Sequence, residues 1–294
     1  MTPSEEVSLA AEIACLLEVS SRKPGNVTPS ADFPDTRYID FLVSATVVGR
    51  VLRKAARVTT GLLILEMVRE TRKLVRRNTN LGIALLFAPL AKAALLGGRR
   101  PLRSRLRAVL ASLTPGDGRK IYEAIRIAAP GGLGDADQLD VRTTRGRVPL
   151  LAAMRAAMER DSIAREYVTD FEITFTIGAP TLERCVRVLG DPDVSIIQTY
   201  LTLLSRIPDS LVARKCGARE ARRVSQQARG ILAVGGTVTA RGRHRLAQWD
   251  RSLRREGNRL NPGTTADLTA AALFLVILEK GIGYMLRRGE NKGR

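Results

Sequence analysis

Three short stretches place small amides, hydroxyls and glycine where a helix would begin, each beside a charge able to meet phosphate or a metal. They are Lys23-Pro24-Gly25-Asn26-Val27, Asn78-Thr79-Asn80-Leu81-Gly82 and Asn261-Pro262-Gly263-Thr264-Thr265-Ala266-Asp267. A helix start leaves several backbone N–H groups without intrahelical partners, so it attracts anions. The same residue types are ordinary caps and turns, and each stretch therefore carries two readings.

In the first stretch, Glu18 precedes Arg22 by one helical turn, and Pro24-Gly25 then stops the helix and exposes the backbone that follows. Asp32, Asp35 and Asp40 come next, in a segment that also holds Arg37. Carboxylates beside a lysine can position a magnesium–phosphate group, because Mg²⁺ favours one or two carboxylates plus phosphate oxygens. The plainer reading is an Asp-rich loop capping the helix that starts near Asp40. In the second stretch, Asn78 or Thr79 makes a good N-cap after the basic Arg76-Arg77 pair. A cap does not account for Gly82 beside Asn80, which suits a ligand approaching the backbone closely. In the third, Thr264 to Asp267 has the spacing of a capping box, with Asp267 as its acid. Asn261-Pro262-Gly263 supplies a tight turn with open N–H groups directly before it.

Two further segments hold charges in suggestive places. Asp161 follows Met154 and Met158 on an apolar stripe, where a carboxylate is costly unless paired or bound to a cation. Arg160, Arg165 and Glu166 are the neighbours that could pair it. Ser205-Arg206-Ile207-Pro208-Asp209-Ser210, followed by Ala213-Arg214-Lys215-Cys216-Gly217, sets Asp209 between cationic groups. That arrangement could clamp phosphates or form a surface turn with ion pairs.

The elements that must position these groups are helical almost throughout. Leu9, Ile13, Leu16 and Leu17 follow helical spacing, with Thr2 and Glu5 as a capping box before them. Phe41 to Val58, Leu62 to Val75 and Leu81 to Leu96 are further helices, and Pro89 is expected to kink or divide the last. Leu102 to Leu113 and Arg119 to Ala128 are shorter ones, separated by a turn over Thr114-Pro115-Gly116-Asp117-Gly118. Gly131 to Gly146 reads as a loop. A long helix is expected from Leu150 to Phe175, another over Ile196 to Leu204, and a third from Leu211 to Val234 that Gly235-Gly236 ends. No run alternates with period two. The fold expected is all-α, with roughly ten or more helices in one large domain over 1–294 and no clean linker.

Composition narrows the function. The 294 residues are 45% apolar, enough for a substantial core. The most apolar run, Leu268 to Leu278, is too short to span a bilayer, and no signal peptide is apparent. Cys15, Cys185 and Cys216 lack CxxC spacing and read as reduced thiols of a cytoplasmic protein. A single histidine, His244, leaves little for a zinc site or a histidine-based triad. The net charge of +19 suggests a polyanionic partner. Of the 48 basic residues 40 are arginine, though, and they are spread along the chain as solvated helix faces would be. A basic nucleic-acid-binding protein is the non-enzymatic alternative. Aromatic content of 4% argues against it, because stacking platforms are then scarce.

Glu18-Val19-Ser20 leading into Lys23-Pro24-Gly25, then Asn78-Thr79-x-x-Gly82, then Asn261-Pro262-Gly263-x-x-Ala266-Asp267 resemble, in the same order, the triphosphoribosyl-dephospho-CoA synthases. The resemblance runs from about Glu12 to Leu278. It is strongest to a branch found in archaea and some bacteria, with segments like Arg160-Asp161-Ser162-Ile163-Ala164 and Arg206-Ile207-Pro208-Asp209. It implies an α-helical enzyme that transfers the triphosphoribosyl group of ATP to the 2′-hydroxyl of 3′-dephospho-CoA and releases adenine. The product would be the prosthetic-group precursor of citrate or malonate decarboxylating systems. Those synthases carry histidine after the Lys-Pro-Gly turn and within the Asn-Thr-x-x-Gly motif, where this chain has residues such as Thr28 and Asn80. A different acceptor is therefore the alternative, such as a pterin in tetrahydromethanopterin assembly.

Displacing a base from C1 of a ribose passes through a cation-like sugar, which a carboxylate stabilises. A second carboxylate can take the proton of the attacking hydroxyl. The candidates for these tasks are Asp35, Asp161, Asp209 and Asp267, with Asp35, Asp161 and Asp267 also able to hold Mg²⁺. Lys23, Arg206, Arg214 and Lys215 are expected to hold phosphate. Gly25, Asn26, Asn78, Thr79, Asn80, Gly82, Asn261, Gly263 and Thr264 would complete a site for small nucleotide substrates.

Overall fold

A computed structural model describes residues 1–131 and 149–286. Apart from Gly131, the loop expected over Gly131 to Gly146 lies outside them. The described chain is all-α: fifteen α-helices and one π-helical turn, with no strand beyond isolated bridges at Thr28–Ala31 and Phe33–Thr36. No described helix is long and apolar enough to cross a membrane. The chain divides into two compact units, residues 1–15 with 39–172, and residues 16–38 with 173–294. Each is assembled from separated segments, so no linker composition marks the division.

In the first unit α2 (Tyr38–Leu52), α3 (Thr60–Leu74), α4 (Leu81–Leu95), α5 (Leu102–Ala111), α6 (Pro115–Ala128), α7 (Leu150–Ala157) and α8 (Ser162–Val168) follow the opening turns of α1 (Pro3–Ser20). The α1 capping box is present, with Thr2 N–H donating to Glu5 Oε2 at 2.8 Å. α4 is apolar on all sides and accordingly buried, and it packs on α3 and α5. Pro89 does not divide it: the helix is continuous through the proline. The turn expected at Thr114 to Gly118 is instead the start of α6. Thr114 caps it, Asp117 closes the box, and Pro115 stands at N1, where its missing N–H costs nothing.

The helix expected over Leu150 to Phe175 is broken. Asp161 caps a fresh helix, α8, by accepting from Ile163 N at 2.8 Å and Ala164 N at 3.2 Å. Asp170 and Phe171 then adopt left-handed backbone, at φ +53° and +57°. Asp170 is held there by Arg107, whose Nε donates to its carboxylate at 2.7 Å, and by Arg103, which donates to its carbonyl at 3.0 Å.

The second unit continues from the π-helical turn Thr174–Gly178 into α9 (Ala179–Leu189), α10 (Pro192–Arg206), α11 (Ser210–Cys216), α12 (Ala218–Ala233), α13 (Ala240–Leu253), α14 (Gly263–Lys280) and α15 (Ile282–Met285). Gly217, at φ +90°, separates α11 from α12 where one helix was expected. α14 is its central element, buried at Thr264, at Thr265 and from Leu268 through Ile277, and packed by α9, α10, α11 and the π-helical turn. The π-helical turn comes close because Gly178 lacks a side chain: a Cβ there would meet Ala272 Cβ at 2.9 Å. A second apolar layer joins α10, α12 and α13 through Tyr200, Leu204, Val224, Ala228, Trp249 and Leu253.

Candidate functional site

Within the second unit, the turn that follows α1 is built as a closed network. Lys23 is fully buried and its ammonium faces acceptors of its own chain. It pairs with the Glu18 carboxylate at 3.0 Å, donates to Ser21 O at 3.1 Å, and also donates to Glu18 O. The lysine expected to meet phosphate is therefore an anchor of the turn, because its three donors are taken. Gly25 follows at φ +73° and donates its N–H to Asp250 Oδ1 at 2.7 Å. Asn26 is buried, and its amide donates to Tyr200 OH at 2.8 Å and to Pro24 O at 3.2 Å. Tyr200 OH in turn donates to Pro24 O at 2.9 Å, and burial, with the charge of Asp209, pushes this phenol well above the usual tyrosine range. Arg254 Nη2 donates to Asn26 O, while its Nε donates to both Asp250 oxygens at 2.9 and 3.0 Å.

The third motif packs onto this turn. A Cβ on Gly25 would meet Leu253 Cδ1 at 2.9 Å and Pro262 Cδ at 3.1 Å, so the two Pro-Gly turns are in contact. The α14 start differs from expectation in two respects. Its cap position is Pro262, with no side-chain cap, so Thr264 and Asp267 form no capping box and Asp267 lies beyond the helix's first turn. Its backbone donors are also partly occupied. Gly263 N donates to Asn261 O at 2.8 Å, and Thr265 N and Oγ1 donate to Asp209 Oδ2 at 2.7 and 2.8 Å.

Asp209 uses its other oxygen to accept from Leu211 N at 2.9 Å and Val212 N at 3.0 Å. One carboxylate, 1% exposed, thus closes the N-termini of α11 and α14. The protein's own carboxylate sits where an anion would be attracted. Burial pushes the Asp209 carboxyl up, against the bonds from Val212 and Thr265 and the charge of Arg214. With four donors on two oxygens, Asp209 has no free acceptor position for a substrate proton; its task here is to join two helices. Thr264 is buried with it, its hydroxyl accepting from Ser210 Oγ at 3.0 Å.

Cations border this assembly. Lys215 is half-buried and donates to Asn258 O at 3.1 Å. Burial holds its ammonium below the usual lysine range, while the charge of Asp35 acts the other way. Asp35 is exposed and accepts from Asn258 Nδ2 at 3.3 Å, so Asn258 bridges the pair. Arg214 is half-buried, and Arg206 is exposed at the end of α10.

The remaining candidates belong to the first unit. Asn78 Oδ1 accepts from Leu81 N at 3.1 Å, but the cap position of α4 is Asn80, so neither Asn78 nor Thr79 is the N-cap that was expected. Thr79 is buried and its hydroxyl bonds to Ser44 Oγ. Asn80 is buried, and its Nδ2 donates to Thr71 Oγ1 at 2.6 Å rather than capping α4. Gly82 is buried within the first turn of α4. Asp161 is the α8 cap, which explains a carboxylate among apolar neighbours without a metal.

Tyr200, Asp250 and Arg254 were missed by the sequence reading. Tyr200 looks like a core aromatic in an apolar helix, and only its distant partners reveal it. Asp250 and Arg254 carried a signal: acid and base at i, i+4 in a stretch otherwise almost wholly basic.

Among the described residues no three His, Cys, Asp or Glu side chains gather as a metal site. Mg²⁺ bound through one or two carboxylates and substrate phosphates fits this donor set better than a cage made by protein alone.

The chain is similar to known proteins along most of its length. The family model for ATP:dephospho-CoA triphosphoribosyl transferase (CitG) matches residues 4–285. A probable 2-(5″-triphosphoribosyl)-3′-dephosphocoenzyme-A synthase of Pseudomonas fluorescens is 33% identical over 112 residues, 38% of each chain. The 2-(5″-triphosphoribosyl)-3′-dephosphocoenzyme-A synthase of Klebsiella pneumoniae is 30% identical over 111 residues, 38% of this chain and 36% of that one. The chain thus spans less than two fifths of the length of either relative. A solved structure from Archaeoglobus fulgidus, provisionally assigned as a triphosphoribosyl-dephospho-CoA synthase, has a TM-score of 0.63 and 28% identity, over 81% of this chain and 99% of that one.

Proposed function

Because the chain belongs to the ATP:dephospho-CoA triphosphoribosyl transferase family, we propose that it transfers the triphosphoribosyl group of ATP to the 2′-hydroxyl of 3′-dephospho-CoA. The bond between ribose C1′ and adenine breaks, a bond from C1′ to the acceptor oxygen forms, and the acceptor's proton passes to a carboxylate or leaves with adenine. The observation that carries the reading is the contact between the Lys23–Asn26 and Asn261–Gly263 turns beside Asp250 and Arg254. Two distant family motifs are thereby packed against each other, and firm placement of reacting groups is a main source of rate.

In this reading Arg206, Arg214 and Lys215 hold phosphates. Asp35, exposed next to Lys215, carries Mg²⁺ together with the triphosphate, and the metal supplies charge neutralisation there. Asp267 faces the developing positive charge of the sugar. Asn261 and Gly263 shape the substrate surface. ATP and dephospho-CoA as substrates point to a cytoplasmic setting.

A second reading keeps the donor and changes the acceptor to a pterin. It draws on Thr28 and Asn80, which stand where the synthases carry histidine; neither titrates, and the Asn80 amide is engaged with Thr71. Purified protein incubated with ATP, Mg²⁺ and dephospho-CoA should yield free adenine and the triphosphoribosyl adduct by mass spectrometry. Adenine released only with a pterin acceptor selects the second reading, and no adenine with either acceptor removes both.

A further inference from the structure

Arg254 is held on three sides. Its Nε bonds both oxygens of Asp250, its Nη2 bonds the carbonyl of Asn26, and its guanidinium carbon lies 5.6 Å from the centre of the Phe33 ring. The remaining nitrogen, Nη1, is buried and has no hydrogen-bond partner. A cationic donor cut off from water and left unpaired is strongly unfavourable, and native proteins leave few such groups without a purpose. Asn261 Oδ1 is likewise buried and unpartnered. The two atoms lie on residues next to Leu253 and Pro262, which both press on Gly25. A donor with positive charge and an acceptor thus belong to the residues next in sequence to the two that meet Gly25.

We infer that Arg254 Nη1 binds a phosphate oxygen of a phosphorylated ribose substrate, with Asn261 placed to accept from a ribose hydroxyl. The inference rests on the proposed transferase reading and adds a phosphate-binding residue to it. The bonds to Asp250 and Asn26 fix the guanidinium plane before the ligand arrives, so little side-chain freedom is lost on binding. A phosphate oxygen suits Nη1 better than a neutral group, because hydrogen bonds between two charged partners are the stronger kind. The phosphate can come from the triphosphate of ATP or from the diphosphate of dephospho-CoA.

The test compares wild type with Arg254→Lys, which keeps the charge and loses the fork. Calorimetric titration uses inorganic triphosphate, adenosine and dephospho-CoA as separate probes. The expected result is triphosphate binding weakened about tenfold with adenosine unchanged, since a lost charge-assisted bond is worth about that factor. Weakening confined to dephospho-CoA assigns the residue to the acceptor instead. Equal loss for adenosine and triphosphate marks a collapsed turn and overturns the inference, as does unchanged affinity for all three. If wild type releases adenine in the transferase assay while the variant binds every probe normally, the inference fails and the function stands. If wild type binds neither triphosphate nor dephospho-CoA, both fail. Should the variant not fold, a crystal of wild type soaked in inorganic triphosphate decides: a phosphate oxygen within hydrogen-bond reach of Nη1 supports the inference, and an ordered water alone there overturns it.

Discussion

Gly25 and Pro262 lie against each other so closely that a Cβ on the glycine would stand 3.1 Å from the proline's Cδ, with Leu253 Cδ1 nearer still at 2.9 Å. The glycine is required twice over, by that approach and by its φ of +73°. Left-handed backbone costs a side-chain-bearing residue about 1–2 kcal/mol, and crowding a packed site adds about 1–3 kcal/mol. Gly25→Ala is expected to lower stability by about 2–5 kcal/mol in urea unfolding on these grounds. Gly257 is the control: its φ is +64°, but a Cβ there meets nothing within 4 Å, so Gly257→Ala should show the backbone strain alone. Equal losses for the two variants would remove the claim that the turns are tightly joined.

Apolar periodicity made most helices legible, and α1, α3 and α4 stand where their stripes put them. It failed where a break lies on the stripe itself. Asp161 occupies an apolar-face position and restarts the helix there, and Gly217 ends α11 through a backbone angle that leaves no trace in hydrophobicity. Thr114-Pro115-Gly116-Asp117-Gly118 has the composition of a turn, yet the capping box and a proline at N1 make it a helix start. Among site residues, the turn motifs could be read as local signals. The tasks of Lys23, Asp209 and Tyr200 could not, because each is set by partners folded in from elsewhere or by burial that spacing does not encode.

Asp117 should give the protein part of its acid sensitivity. Its carboxylate accepts from Gly61 N at 2.8 Å and from Thr114 N at 3.0 Å and Oγ1 at 2.7 Å. Burial pushes the carboxyl up, but the bonds from Thr114, Thr59 and Gly61 outweigh it and hold it below the usual aspartate range. The unfolded chain therefore takes up this proton at higher pH than the folded one. The stabilisation is fully present above the ordinary aspartate pKa of about 4 and is lost as pH falls through the folded value. Asp117→Asn should cost about 1–3 kcal/mol at neutral pH, and its deficit against wild type should shrink as unfolding is measured at lower pH. A deficit constant down to pH 2, roughly two units below the ordinary aspartate value, would contradict this.

ATP should protect the protein from heat, and Mg²⁺ should do so only with it. A ligand at a hundredfold excess over its Kd stabilises the native state by about 2.7 kcal/mol. No three carboxylates, histidines or thiols gather among the described residues, so the metal is expected to need the triphosphate as a partner. Thermal melts with ATP, with Mg²⁺ and with both should show the largest rise for the pair and none for Mg²⁺ alone. A full shift with Mg²⁺ alone would point to a metal site made by the protein, and no shift in any arm would count against nucleotide binding.

Asp267 separates a structural role from a chemical one. The sequence allowed it to close a capping box with Thr264, but α14 begins at Gly263 with no side-chain cap, and Asp267 lies beyond the first turn. It is partly exposed, so an ion pair it makes should contribute no more than about 1 kcal/mol. Asp267→Asn keeps the shape and removes the charge. If Asp267 steadies the cationic sugar, the variant should melt within a few degrees of wild type while turnover drops about a hundredfold, near 2.7 kcal/mol of transition-state stabilisation. The KM for ATP should change much less than kcat, because the sugar carries its positive charge only in the transition state. Adenine release at the wild-type rate from a folded Asp267→Asn protein would take this residue out of the chemistry and leave the sugar cation to another carboxylate.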